Sequence, residues 1–369
     1  MKKILFIVQL PPPVHGASLM NNYVNNSEVL KSNFKIRTLP LRFISKIKDI
    51  GKFSFSKIWL VIVFVFKLLI ELIFHRPKLV YYTLAPVGGA FYRDALFVFI
   101  IKLFRVNILF HMHGKGIEGN SKKSIIVKYV YKLVFKNVDV IHLGDSLIYD
   151  IQDVFEGIPY IVPNGMEIKN SGTQSGNIEL VRFIYLSNLD KTKGIELFLK
   201  SLVTLHNEGY NFEARIIGNS TMNFTIEDAK KIVEDNGLNH KVKILGPLYG
   251  EEKYKELAEA SIFVLPTFYK NECFPLSIIE AMQFRNAVIS SCEGAIPEMI
   301  ENDINGFVVE ELNCENLVKK LSYCLEHRKE VEDMALNNYN KFTQKYTLNI
   351  FENNLLNVFR SVLKKNEAN

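Results

Sequence analysis

The chain has 369 residues, 48% hydrophobic and 23% charged, a composition that excludes a disordered chain, a collagen and a coiled-coil rod and suits two domains. Its formal net charge of +6 is unevenly divided: residues 1–170 hold 23 Lys+Arg against 11 Asp+Glu, residues 171–369 hold 22 against 28, and residues 31–136 alone hold 20 against 4. Halves of opposite sign point to two domains with different partners, the basic one facing nucleic acid, an anionic membrane or a phosphate-bearing substrate. Cys273, Cys292, Cys314 and Cys324 form no C-x-x-C pair and no zinc spacing, and read as reduced cysteines of a cytoplasmic protein.

In chain order, Lys2 and Lys3 precede only a short apolar run, Ile4–Leu10, stopped by three prolines. That run reads as a first strand and not as a secretion signal. Further strands are expected at Lys35–Leu39, Leu79–Thr83, Asn107–His111 and Val140–Leu143. Between them, Ile58–Phe74 is a 17-residue apolar run containing Lys67 and Glu71. A spanning helix needs about 20 apolar residues, and a central charge costs about 2.5–3.5 kcal/mol. A buried or surface-inserted helix is therefore expected. In Ser121–Asn137, Lys128, Lys132 and Lys136 recur every four residues, with Ile126, Tyr129, Val130, Leu133 and Val134 on the other side. Such a helix can lie in a headgroup layer or pack as an ordinary surface helix.

The segment Glu167–Asn177 is polar and Gly/Ser-rich and reads as a linker. Beyond it, strands are expected at Arg182–Ser187, Glu213–Ile217, Lys241–Leu245, Ile262–Leu265, Ala287–Ser290 and Phe307–Val309, with helices at Ile195–Asn207, Glu251–Ala260 and Leu276–Phe284. Strand–helix alternation in both halves implies two α/β, doubly wound domains with parallel sheets, residues 1–170 and 171–345. Residues 346–369 form a closing helix, expected to pack back toward the first domain.

Open parallel sheets bind ligands beyond the carboxyl ends of their strands. After Ile262–Leu265 comes Glu272-Cys273-Phe274-Pro275-Leu276-Ser277-Ile278-Ile279-Glu280. Pro275 suits the first turn of a helix, and the free N–H groups near Phe274, Leu276 and Ser277 would form an anion site. Two carboxylates flanking that site suit a ligand with phosphates in its middle and hydroxyls at both ends, such as a nucleotide sugar.

These residues, followed by Val288-Ile289-Ser290-Ser291, Glu293-Gly294-Ala295-Ile296-Pro297-Glu298 and Asn305-Gly306-Phe307, resemble the C-terminal domain of family-four glycosyltransferases. The resemblance extends to Ser187–Gly194, Val162–Gly165, His111-Met112-His113-Gly114 and Pro11–Gly16, and so covers nearly the whole chain. It implies a GT-B fold, two Rossmann-like domains facing each other across a cleft, with a nucleoside-diphosphate sugar on the second domain and the acceptor on the first. It further implies that Glu272 contacts the donor sugar, Glu280 the ribose and Lys193 the diphosphate. By the same resemblance Gly16 approaches the phosphates, and His113 lies near the reacting sugar. His111 is expected on the opposite side of its strand, and His15 is a candidate ligand contact. Where the family carries an arginine five residues before the lysine, this chain has Asn188; Arg285 is a candidate replacement.

The activity implied is transfer of a hexosyl or N-acetylhexosaminyl group, with retention, from a UDP-sugar as the first expectation. The acceptor would be a glycan or lipid-linked glycan of a bacterial surface polysaccharide. No Asp-x-Asp occurs, which suits a mechanism without a metal or other cofactor. The basic segment suggests peripheral contact with the anionic inner face of the plasma membrane, through Lys128, Lys132 and Lys136. No nucleic-acid module is recognised, and oligomeric state is not legible. The alternatives are a nucleotide-sugar 2-epimerase of the same fold and a non-catalytic sugar-nucleotide-binding subunit.

Overall fold

The computed structural model describes residues 1–43, 55–169 and 180–368; of the expected linker, residues 170–177 lie outside these. The chain divides into two units, Met1–Gly165 with Leu348–Asn369, and Met166–Thr347.

The first unit holds a parallel sheet of β1 (Lys3–Val8), β2 (Lys35–Pro40), β3 (Leu79–Tyr82), β4 (Asn107–His111), β5 (Asp139–His142) and β6 (Tyr160–Ile161), in the order β2-β1-β3-β4-β5-β6. Four of these strands are legible as apolar runs and β2 as an alternating one, Lys-Ile-Arg-Thr-Leu. The sixth is not, because β6 has only two residues between Pro159 and Pro163, too few for any periodicity. Helices cover both faces, so β3, Leu79-Val80-Tyr81-Tyr82, is buried throughout.

One face carries the helices Phe55–Ile70, Gly88–Leu103 and Ile125–Phe135, which share a core containing Phe64, Leu68, Phe97, Tyr131 and Phe135. The Phe64 and Phe97 rings lie 4.4 Å apart. On the other side the closing helix, Leu348–Ala368, packs Phe359 against Phe6 and Tyr81. Arg360 donates to Asn33 at 2.7 Å, and Lys365 pairs with Asp139 at 2.9 Å.

The second unit has β7 (Arg182–Leu186), β8 (Glu213–Ile217), β9 (Val242–Gly246), β10 (Ile262–Leu265), β11 (Ala287–Ser291) and β12 (Gly306–Val309), in the parallel order β12-β11-β10-β7-β8-β9. The first strand of the unit therefore lies beside the fourth. The strand order reverses there, so the carboxyl ends of β7 and β10 are the switch point of the sheet. In the first unit the corresponding reversal falls between β1 and β3.

Two helical expectations need correction. Pro275 is the N-cap of the helix Leu276–Gln283, with extended ψ of 117°, and does not stand inside its first turn. In the helix Ile125–Phe135 the buried side is Tyr131, Val134 and Phe135. Ile126, 72% exposed, and Tyr129 face solvent, and Lys128 pairs with Asp153 at 3.6 Å. The core takes the aromatic pair Tyr131 and Phe135 because Phe91 and Phe110 stand ready to pack them.

Candidate active site

Lys193 and Glu272 lie in the loops that follow β7 and β10, the neighbouring strands at the switch point of the second sheet. Asp190 caps the short turn Lys191–Lys193, accepting from Thr192 N–H at 2.8 Å and from the Thr192 hydroxyl at 2.6 Å. The buried Tyr185 hydroxyl lies beneath, donating to the Asn188 carbonyl at 3.2 Å. Gly194 follows at φ +79°, and a Cβ there would stand 1.9 Å from the Pro266 carbonyl oxygen. Only glycine lets the β7 and β10 loops come this close. Phe268 N–H then donates to the Thr192 carbonyl at 2.8 Å, tying the two loops together.

The result is an ion pair. Lys193 Nζ stands 2.5 Å from Glu272 Oε2 and 4.4 Å from the centre of the Tyr269 ring. Glu272 is 8% exposed. Its loop is clamped from beyond β11: Ala295 N–H donates to the Cys273 carbonyl at 2.7 Å, and a Cβ on Gly294 would meet the carbonyl oxygens of Glu272 and Cys273 at 2.5 Å.

Phe274 and Pro275 are buried, and Leu276 and Ser277 begin the helix without a side-chain cap. Their amides and the helix dipole thus favour an anion beside the lysine. Glu280 is buried in the same helix and is held by Lys253 of the preceding helix, Gly250–Glu259. Asn188 is exposed and holds the loop through its carbonyl. Arg285 does not replace a cation at this end. It follows the helix C-terminus, about 12 Å from the amide end by helix rise, and its guanidinium stacks on Tyr339 at 4.8 Å.

In the first unit His113 follows β4. His111 is not on the opposite side of its strand: the two rings lie 4.1 Å apart, since residues two apart on extended backbone share a face. His111 Nδ1 meets the Tyr81 hydroxyl at 2.6 Å. Part of the His113 side chain reaches the surface, but its Nε2 is enclosed without a partner. Burial, with the His15 and His142 rings nearby, holds His113 down at about 3, so the ring is neutral at pH 7. His15 caps the helix Gly16–Asn26: its Nδ1 accepts from Ser18 N–H at 3.3 Å while its own N–H donates to the Ser18 hydroxyl at 2.9 Å. Gly16 is the exposed first residue of that helix.

A cavity of about 220 Å³ opens at the carboxyl ends of β1, β3 and β4, lined by Gln9, Asn21, Thr83, Arg93, Asp94 and His113 among others. Arg93 donates to Asp94 at 2.8 Å, and Asp94 also receives Ala85 N–H at 2.9 Å.

Lys253, Tyr269 and the Arg93–Asp94 pair escaped the sequence reading. Tyr269 follows a strand end and could have been found by that rule. Lys253 meets its partner only through the fold.

Residues 175–341 match the family model described as "Glycosyl transferases group 1". The chain is 30% identical over 135 residues to the amylovoran biosynthesis glycosyltransferase AmsK of Erwinia amylovora, covering 36% of this chain and 32% of that one. It is 35% identical over 109 residues to the N,N'-diacetylbacillosaminyl-diphospho-undecaprenol alpha-1,3-N-acetylgalactosaminyltransferase of Campylobacter jejuni, covering 29% and 28%. These alignments span about a third of the length of such relatives. Among solved structures, Anabaena HepE in complex with UDP-glucose superposes with a TM-score of 0.72 at 16% identity, covering 98% of this chain and 100% of that one. The second unit is thus similar to the group 1 glycosyl transferase model over residues 175–341, and the chain shares the two-sheet fold of HepE.

Proposed function

We propose that the protein transfers a sugar from a nucleoside-diphosphate sugar to a glycan or lipid-linked glycan in the synthesis of a bacterial surface polysaccharide. The observation that carries this reading is the Lys193–Glu272 pair set beside an uncapped helix N-terminus at the switch point of the second sheet. In this reading Glu272 accepts hydrogen bonds from donor-sugar hydroxyls. Lys193 and the amides of Leu276 and Ser277 meet the diphosphate as negative charge builds on it. Such preorganised donors are worth about 2.7–4 kcal/mol each in comparable sites. Glu280, steadied by Lys253, receives the ribose hydroxyls. Because cationic and amide groups answer the leaving charge, the reading requires no metal. Asn188 supplies no charge, so Lys193 carries the larger share.

His113 lines the cavity at the end of β4 and, being neutral, does not serve as a charged acid at pH 7. The cavity, lined also by the Arg93–Asp94 pair and by Gln9, Asn21 and Thr83, suits a polar acceptor. A UDP-sugar is preferred as donor because HepE is seen with UDP-glucose. A lipid-linked acceptor is preferred because the Campylobacter relative is named for one. The basic first half then faces the anionic cytoplasmic leaflet where such acceptors lie. Retention at the anomeric carbon completes the proposal.

Thermal-shift screening across UDP-, GDP- and ADP-sugars tests the donor. The anomeric configuration of a product made from the preferred donor tests retention. Absence of a shift with every nucleotide sugar would refute donor binding, and epimer formation without any acceptor would favour the epimerase.

A further inference from the structure

A cavity of about 550 Å³ stands apart from the candidate active site. It opens at the amino ends of β3 and β4, the opposite edge of the first sheet from His113. Arg76, Lys78 and Arg105 line it together with Ile73, Phe104 and Leu363. Among the described residues none of the three cations is paired with a carboxylate; Arg76 Nε donates only to the Ile73 carbonyl at 3.3 Å, and the nearby Glu71 is taken by Arg37 and His75. Three unneutralised cations around one hollow repel one another unless an anion joins them. Arg76 and Arg105 stand at φ +47° and +54°, left-handed positions that usually go to glycine or asparagine.

Beside this cavity runs the helix Phe55–Ile70 with its last turn Glu71–His75. Phe64, Leu68 and Leu72 face the core. The outer face is apolar: Trp59 is 64% exposed and Phe66 65%, with Ile62, Ile70 and Phe74 along the same stripe. By length and composition the segment could cross a bilayer. Its inner face is occupied by the packing on Phe43 and Phe97, which fixes it against the sheet. An apolar outer face with cations at one end matches a membrane surface: the stripe enters the acyl boundary and the cations meet phosphates.

We propose that the cavity of Arg76, Lys78 and Arg105 is a headgroup site for an anionic phospholipid, and that the Trp59–Phe74 stripe docks the protein in the bilayer surface beside it. This deepens the membrane contact proposed above and rests on it. It moves the principal contact away from Lys128, Lys132 and Lys136.

Trp59 is the only tryptophan in the chain, so its emission reports the stripe directly. The full-length protein is titrated with phosphatidylglycerol vesicles and with phosphatidylcholine vesicles. Wild type should bind the anionic vesicles with a blue shift of Trp59 emission and bind the neutral ones weakly. Arg76→Asn, Lys78→Gln and Arg105→Asn together keep the left-handed backbone accessible and should lower anionic-vesicle affinity about 100-fold, each lost cation counting about fivefold. Phe66→Asp, on the exposed stripe, should abolish the blue shift.

Unchanged binding by the triple variant, with loss in Lys128→Glu/Lys132→Glu/Lys136→Glu, would overturn the cavity and leave the membrane contact standing. No vesicle binding by wild type would overturn both, whereas sugar transfer to a soluble acceptor would still report on the transferase. A blue-shifted Trp59 in a lipid-free dimer would assign the stripe to a second copy and overturn the proposal.

Discussion

Lys193 Nζ and Glu272 Oε2, 79 residues apart in sequence, lie 2.5 Å from each other. The pair holds both side chains in place before any ligand arrives, so a nucleotide sugar would find its cation and its hydroxyl acceptor already oriented. Such preorganisation saves the reorganisation that a flexible site would need during the reaction.

If the pair acts as one unit, the residues should not contribute independently. Lys193→Ala and Glu272→Ala are each expected to lower kcat/KM by about 10²–10³-fold, and the double variant by little more than either. Initial rates of transfer from a UDP-sugar read this directly. Effects that simply multiply would show that the two side chains act apart, and wild-type rates would remove the residue concerned from the mechanism.

Lys253 tests the other carboxylate. It touches Glu280 and leads to no other proposed ligand contact. Lys253→Met should weaken UDP binding about tenfold, about 1.4 kcal/mol, while kcat at saturating donor stays near wild type. Calorimetric titration with UDP and a KM-against-kcat comparison separate this from a general loss of fold. An unaltered UDP affinity would detach Glu280 from the ribose.

The close approach of the β7 and β10 loops makes a stability prediction. Gly194→Ala would put a Cβ 1.9 Å from the Pro266 carbonyl oxygen at a left-handed φ, whereas Gly209, also left-handed, has nothing within 4 Å of its would-be Cβ. Strain from φ alone is about 1–3 kcal/mol. Gly194→Ala should therefore be clearly less stable in urea than Gly209→Ala and should also lose donor binding. Equal midpoints would mean that the loops are not pressed together.

His113 gives a pH dependence. Its pKa in the folded chain, about 3, lies below the ordinary 6.5, so between these values the unfolded chain binds a proton that the folded chain does not. Stability should thus be level above about pH 6.5 and fall as the pH drops toward 3, by up to about 1.4 kcal/mol per pH unit for this one group. His113→Gln should flatten that slope in pH-dependent urea melts and keep more activity than His113→Ala. An identical slope in the variant would place the acid sensitivity elsewhere.

Much of the fold can be read from the sequence by itself. Apolar runs such as Leu79–Tyr82 and Ile262–Leu265 are buried strands because helices on both faces leave no room for alternation. Glu272 and Glu280 are legible as carboxylates on either side of an expected helix start, while Lys193 stands out only through the family resemblance. What the sequence could not supply was adjacency. Strand order, which sets β7 beside β10, brings Lys193 to Glu272, and helix packing brings Lys253 to Glu280; neither pairing has any local signature. The same holds for exposure. The apolar residues of Ile58–Phe74 are alike in composition, and only the neighbours that Phe97 and Phe43 provide decide that Phe64 is covered while Trp59 and Phe66 face outward. Burial depends on what the rest of the chain brings to a face, and that is settled by tertiary packing.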